Sequence, residues 1–414
     1  MVAKMSGQDS RDIETVRLVT REYMRDPYAA LSAVREASPS TVPIVANGWR
    51  QWIICRYDDV QRVLSDRSVE RELGKRLQSV SNSLVRPEKY ARLPDSLRQG
   101  VIDRDGDDHT RLRALISDEF QHERATGFRP IIQEFADQLL DELPLGGTTD
   151  LIEWFAHPLA AAVIAKIVGI PPADRHKFPQ WWSSIHTGTT VAEVESAARQ
   201  MQTFCREMIE FKRARPGDDV ITCLIQGTCD GQLSEDEATS TLANLLIGGM
   251  ESATLIANSL VLLLTHRDQL VKLQADMRLL PNCIEEALRY ESPFRLFGPR
   301  VASKELFVDG TIIPAGELIA LCPAAANRDP RRFEDPDIFD ITRERNPHLA
   351  FGYGMHYCLG VHVARLEASI GLASFLGRFP KSELAISWQD LRWQPGPHQR
   401  QLHSLPVYLH REVN

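Results

Sequence analysis

Cys358 lies within HLAFGYGMHYCLGVHVARLE, His348 to Glu367, between a glycine-studded loop and a segment of helical periodicity. The spacing is Phe351-Gly352-x-Gly354-x-His356-x-Cys358-x-Gly360, followed by Leu359, Val363, Leu366, Ile370, Ala373 and Leu376 on one helical stripe. A cysteine there stands at the N-terminus of a buried helix, where the dipole and free backbone N–H groups favour thiolate over thiol. A thiolate so placed can bind a metal. The two glycines before it let the backbone turn tightly and lie close to a planar partner, and Phe351 can shield the sulfur from water.

A second group able to do chemistry lies in SEDEATSTLANLLIGGMESATLIANSLVLLLTH, Ser234 to His266. Ser234 and Glu237 make the Ser-x-x-Glu capping box that starts a helix. Between Glu237 and His266 the only charged residue is Glu251. Nearly the whole circumference of this helix, roughly 45 Å long at 1.5 Å per residue, must therefore be buried. A membrane span is disfavoured, because Asn244, Glu251, Ser252 and Asn258 interrupt the apolar run and a central carboxylate costs about 2.5–3.5 kcal/mol in a bilayer. Gly248 and Gly249 are each about 1 kcal/mol worse than alanine in a helix interior. Close approach of a flat ligand, or a local opening of the hydrogen-bond ladder, would require them. Glu251 and Ser252 put an acid and a hydroxyl into the same weakened turn, and a buried carboxylate is rare unless paired or functional.

The elements that must position these groups read as mainly helical, with a minor β region. Helical periodicity runs from about Arg111 to Leu280. A strand is expected in GWRQWIICRY (Gly48–Tyr57), and short strands and hairpins beyond Glu291, where DG and PAG split apolar runs. The last helix should start after Cys358 and stop before Pro380. No spacer, repeat or low-complexity block divides the 414 residues, so one large domain over 1–414 is expected, with 1–20 as a flexible N-terminus. The net charge of -8 argues against a general nucleic-acid binder. The N-terminal stretch has no apolar run of signal-peptide length, which predicts a cytoplasmic protein. The seven cysteines form no zinc-type pairs, and the six besides Cys358 read as buried or incidental.

With these residues in view, the sequence resembles the cytochrome P-450 family of soluble, bacterial-type heme-thiolate monooxygenases. The match covers Phe351, Gly352, Gly354, Cys358 and Gly360, the run ARLE (Ala364–Glu367), GGMES (Gly248–Ser252), EALR with Glu286 and Arg289, the stretch Ala325–Arg343, and DDHTRLRAL (Asp107–Leu115). The resemblance implies a single large triangular fold around the long central helix. It implies heme b as cofactor, with Cys358 as the axial iron ligand. His109, Arg113, Arg300 and His356 would hold the heme propionates. Gly248, Gly249, Phe351 and Gly360 would lie against the macrocycle, and Glu251 with Ser252 would deliver protons. Two departures stand out: Ser252 replaces the usual threonine, and Ile338 stands where many members have an arginine completing the Glu286–Arg289 network. Arg328 or Arg343 would then substitute.

The implied function is dioxygen-dependent oxidation of a small organic substrate, by hydroxylation or oxidative coupling, in secondary-metabolite biosynthesis. Electrons would come from a separate ferredoxin or flavodoxin-type protein, steered to a basic surface of Arg104, Arg111, His348, His362 and Arg365. By the same analogy, the substrate pocket would draw on Gln78, Asn82, Trp181, Trp182, Asn244, Ile247, Phe294, Phe297 and His398. Their aromatic and amide character, with the neighbouring hydroxyls of Ser79, Ser81 and Ser83, suits an aromatic polyketide or a cyclic dipeptide. Rival readings are a heme-thiolate sensor without turnover and an electron-independent isomerase or dehydratase. The acid-alcohol pair favours oxygen activation over both.

Overall fold

The computed structural model describes residues 21–36, 41–46, 49–71, 93–187, 190–396 and 398–410. Residues 1–20, Gln78 and Asn82 lie outside them. Strands β1 (Thr41–Ala46), β2 (Trp49–Ile54), β3 (Val69–Glu70), β4 (Arg300–Ala302) and β5 (Leu318–Leu321) form one sheet in the order β1-β2-β5-β4-β3. β2 and β5 run parallel, with Trp52 opposite Ile319 and Ile54 opposite Leu321. β4 pairs antiparallel with β5 through Arg300 and Ile319, and with β3 through Val301 and Glu70. The expected Asp-Gly hairpin forms between Leu306–Val308 and Thr311–Ile313. Asp309 and Gly310 both take positive φ, 46° and 76°, as a tight turn between twisted strands requires.

The helices that bear on the site are α1 (Gly106–Ile116), α2 (His157–Val168), α3 (Phe178–Thr187), α4 (Glu235–Gly249), α5 (Glu251–Thr265), α6 (Leu280–Tyr290) and α7 (Val361–Arg378). The capping box is present at the start of α4: the Ser234 hydroxyl accepts the Glu237 N–H, and the Glu237 carboxylate accepts the Ser234 N–H. The single helix expected from Ser234 to His266 is interrupted. Met250 separates α4 from α5, and the Ala253 N–H falls back on the Met250 carbonyl at 3.2 Å. By length and composition this helix pair could cross a membrane, but 72% of its most apolar window is buried inside the fold. Leu242, Leu246, Ile256, Leu260, Val261 and Leu263 are fully enclosed in a core that draws side chains from Leu97 to Val407.

The Glu286–Arg289 pair on α6 is completely buried and bidentate, with two contacts of 2.7 Å. The third member is Arg343, whose Nε donates to Glu286 Oε2 at 3.2 Å. Asn346 and the Asp340 N–H also donate to this carboxylate. Arg328 is engaged elsewhere, stacked between the rings of Tyr28 and Tyr290 at 3.5 and 3.7 Å. At the departure from the family pattern, Ile338 contributes only its carbonyl, to Arg289 Nη2 at 3.0 Å. Full burial of an ion pair is tolerable because the surrounding donors and carbonyls satisfy the remaining sites of both groups.

Candidate active site

The loop before α7 is shaped by Gly352 and Gly354, both at φ +74°. A Cβ on Gly354 would come within 2.8 Å of the Leu64 carbonyl, so the loop passes too close to residues 57–65 for any side chain. The Cys358 N–H donates to the Phe351 carbonyl at 2.9 Å, closing the loop and turning the sulfur into a cavity of about 350 Å³. Burial pushes the Cys358 thiol above its ordinary value; the Gly360 N–H, Arg113 and Arg365 oppose this without winning. The helix terminus by itself favours thiolate. Here that effect is real but outweighed, and a metal cation bound at the sulfur would supply the missing stabilisation. Phe351 lines the cavity beside the sulfur, with the Arg365 guanidinium 4.9 Å from its ring centroid.

Across the cavity lies the break between α4 and α5. The Ser252 hydroxyl contacts the Gly249 carbonyl at 3.0 Å and donates to Glu367 Oε1 at 2.8 Å. Glu367, on α7, is 2% exposed, and burial pushes its carboxyl up to about 8, with the Ser252 hydrogen bond opposing. Its membership of ARLE is visible in the sequence, but its contact with Ser252 is not. A carboxylate between Val363 and Ile370 on the apolar face of the last helix was the available signal. Glu251 also faces the cavity, and burial raises its carboxyl to about 8, with Trp182 and Gln399 opposing. Gln399 Nε2 donates to Glu251 Oε1. The two glycines have different reasons. A Cβ on Gly249 would lie 2.3 Å from Ile164 Cγ1 of α2, so helix packing requires that glycine; Gly248 faces open space in the cavity.

One flank of the cavity is basic. His109 and Arg113, four apart on α1, line it with Arg300 and His356. The His109 and His356 rings meet edge to face at 4.5 Å, and His356 Nε2 contacts Asp105 Oδ1 at 3.1 Å. Burial, then His356 and Arg113, hold His109 down to about 4. Arg113 Nη1 donates to the Met355 carbonyl at 3.2 Å. Arg300 is 4% exposed, and its Nη1 donates to the Gly298 carbonyl at 3.4 Å. Arg71, unnoticed in the sequence, lines the same flank.

Asn244, Phe294 and Phe297 line the cavity. Asn244 is partly committed to the fold, since its Oδ1 accepts the Ile102 N–H and its side chain bonds Asp103. Trp181, Trp182, Ile247 and His398 do not line it. Trp181 bonds Gln200 and packs on Phe204 near the surface. Trp182 is buried behind Glu251, against His157 and His186. Ile247 packs against the core. His398 gives its carbonyl to the N–H groups of Arg295 and Leu296. Helix-wheel reasoning cannot say which face of α3 or α4 meets the cavity. The expected basic surface is largely neutralised: Arg111 pairs with Glu237 and Asp108, while Arg365 and His348 share Glu285.

The residues fit a flat, dianionic, iron-bearing macrocycle. Cys358 would provide a soft ligand, Gly248 and Gly360 leave room at cavity-lining positions, and Arg300 is a buried cation with no ion-pair partner among the described residues. The comparisons agree. The cytochrome P-450 family profile matches residues 176–384. Cytochrome P-450 107B1 of Saccharopolyspora erythraea is 38% identical over 93% of this chain and 95% of its own length. The 6-deoxyerythronolide B hydroxylase of the same organism is 36% identical, covering 93% and 96%. The tirandamycin C-bound monooxygenase TamI superposes with a TM-score of 0.89 at 33% identity, over 95% of this chain and 99% of TamI. With the cysteine loop, the broken acid-alcohol helix and the buried Glu-x-x-Arg pair in one fold, the chain belongs to the cytochrome P-450 family.

Proposed function

We propose that this cytochrome P-450 oxidises a mainly apolar secondary metabolite of polyketide size. As a member of the family it is a heme-thiolate monooxygenase that uses dioxygen and externally supplied electrons. The observation that carries the site assignment is the Ser252–Glu367 hydrogen bond at 2.8 Å, in the cavity that also receives Cys358. When bound, heme b supplies dioxygen activation and one-electron chemistry. Cys358 is its ligand in this reading; His109, Arg113, Arg300 and His356 hold its propionates.

The protein side of the chemistry is proton handling. Glu367, its carboxyl raised to about 8, holds a proton at neutral pH, and Ser252 Oγ lies within hydrogen-bond reach to pass it on. Glu251 holds a second proton at the helix break, oriented by Gln399. Val101, Ile102, Leu245, Phe294 and Phe297 present an apolar wall that excludes bulk water from the reacting substrate. Support for the substrate class comes from this wall and from relatives named for 6-deoxyerythronolide B and tirandamycin C.

A ferredoxin or flavodoxin-type carrier docking on the cysteine side is the electron source in this reading, steered less by charge than five free cations would allow. The chain works as one domain in the cytoplasm; the one-domain part of this reading is supported by a main core cluster that draws side chains from Leu97 to Val407. Substrate-dependent consumption of reducing equivalents, with ferredoxin supplied, tests turnover. The ferrous carbon monoxide complex of wild type should show the long-wavelength thiolate band, and Cys358→His should abolish it. A wild-type spectrum of histidine type would refute the ligand assignment.

A further inference from the structure

Arg71 has no part in the assignments above, yet it stands against the propionate flank. The β3–β4 ladder pairs Val69 with Ala302 and Glu70 with Val301. Continued by one residue, the same antiparallel register sets Arg71 opposite Arg300. Both side chains line the cavity. Gly298 lies between them: a Cβ there would be 3.8 Å from Arg71 Nη2, and its carbonyl takes Arg300 Nη1 at 3.4 Å.

Like charges directly opposite across a strand pair repel, and burial strengthens the repulsion. Arg300 carries that strain: burial first, then Arg71, hold its guanidinium down to about 9. Burial also lowers Arg71, with Asp103 and Asp105 opposing. Asp105 is spent on the Arg71 backbone N–H at 2.7 Å and on His356. Arg71 anchors its Nε on the Ile102 carbonyl at 2.8 Å, leaving its terminal nitrogens for the cavity. Among the described residues no ion pair engages either guanidinium. Two adjacent forks oriented by backbone carbonyls and lacking an anionic partner among the described residues are complementary to a carboxylate, whose two oxygens can each accept one.

We propose that Arg71 and Arg300 form a clamp for one carboxylate inside the cavity, with Arg71 as its second arm. This rests on the cavity being the heme pocket. The carboxylate is a heme propionate or the acid group of a substrate, and the experiment separates the two sources. Heme transfer to excess apomyoglobin is timed for wild type, Arg71→Ala, Arg71→Gln and Arg71→Lys. The same proteins are titrated optically with tetradecanoate and with its methyl ester.

A propionate clamp predicts heme loss faster by roughly 10-fold or more in Arg71→Ala and Arg71→Gln, from the loss of a charged hydrogen bond, and largely restored in Arg71→Lys. A substrate clamp predicts unchanged heme loss, with the wild-type preference for the acid over the ester abolished in Arg71→Ala. If Arg71→Ala does not load heme, loading by Arg71→Lys but not Arg71→Gln carries the same conclusion. Wild-type heme loss and ligand preference in every variant would overturn the clamp. So would heme loss accelerated to the same extent in all three variants, lysine included, which would assign Arg71 to folding alone. Failure of the heme reading itself would appear in wild type, as absence of the thiolate band, before any variant is made.

Discussion

Gly248 and Gly249 are neighbours in one helix with equal propensity costs, yet alanine should act oppositely at the two. At Gly249 the added Cβ meets Ile164 Cγ1 at 2.3 Å, Cβ at 2.6 Å and Cδ1 at 2.7 Å. A rotamer change can move Cγ1 and Cδ1 but not Cβ, so α2 and α4 would have to part. Overpacking of this kind costs about 1–3 kcal/mol, against a helix-propensity gain of about 1 kcal/mol. At Gly248 the Cβ meets nothing within 4 Å, so the propensity gain stands alone while the methyl takes up cavity space. The two variants should therefore differ by about 1–3 kcal/mol in unfolding free energy, Gly249→Ala being the weaker. Urea unfolding read by circular dichroism, with slopes compared to exclude a changed denatured state, measures this. Ile164→Ala in the Gly249→Ala background should rescue only part, because the Cβ contact remains. Equal stability of the two alanine variants, or additivity of Gly249→Ala and Ile164→Ala within about 0.5 kcal/mol, would show that Ile164 does not impose the glycine.

Ser252→Ala should still bind substrate and accept electrons but lose product per electron, with the difference appearing as hydrogen peroxide. Glu367→Gln should do the same if Ser252 is supplied from α7, and unchanged coupling in Glu367→Gln would leave Glu251 as the sole source. Both raised carboxyls also shape stability. The folded protein holds their protons between the ordinary value of 4.5 and about 8, so their contribution is full below about 4.5 and falls as pH rises to about 8. Replacing either by glutamine should flatten the stability profile in that window, and a slope unaffected by both substitutions would refute the assignment. Glu286→Ala leaves Arg289, which is fully buried, without its counter-ion, at about 3–5 kcal/mol. Arg343→Ala, which keeps the Glu286–Arg289 pair, should cost clearly less in the same unfolding assay.

Much of the site was legible in the residues because it depends on local rules. The capping box at Ser234, the cysteine between a glycine loop and a helix, the lone carboxylate at Glu251 and the Asp-Gly turn at residues 309–310 are set by neighbours a few positions away. Propensity, capping and backbone sterics act over that range. The break at Met250 was foreshadowed by the paired glycines, though the sequence could not choose between a ligand and a packing partner. Ile164, from a helix some 85 positions earlier in the chain, decides that for Gly249. Ser252 with Glu367, Arg343 with Glu286 and Arg71 with Arg300 likewise depend on which elements meet and in what register, which no local spacing encodes. The same holds for what failed. Trp182 turned behind Glu251, and the basic residues near the cysteine found Glu237 and Glu285, because burial and charge pairing are satisfied by whatever the folded chain brings within a few ångströms.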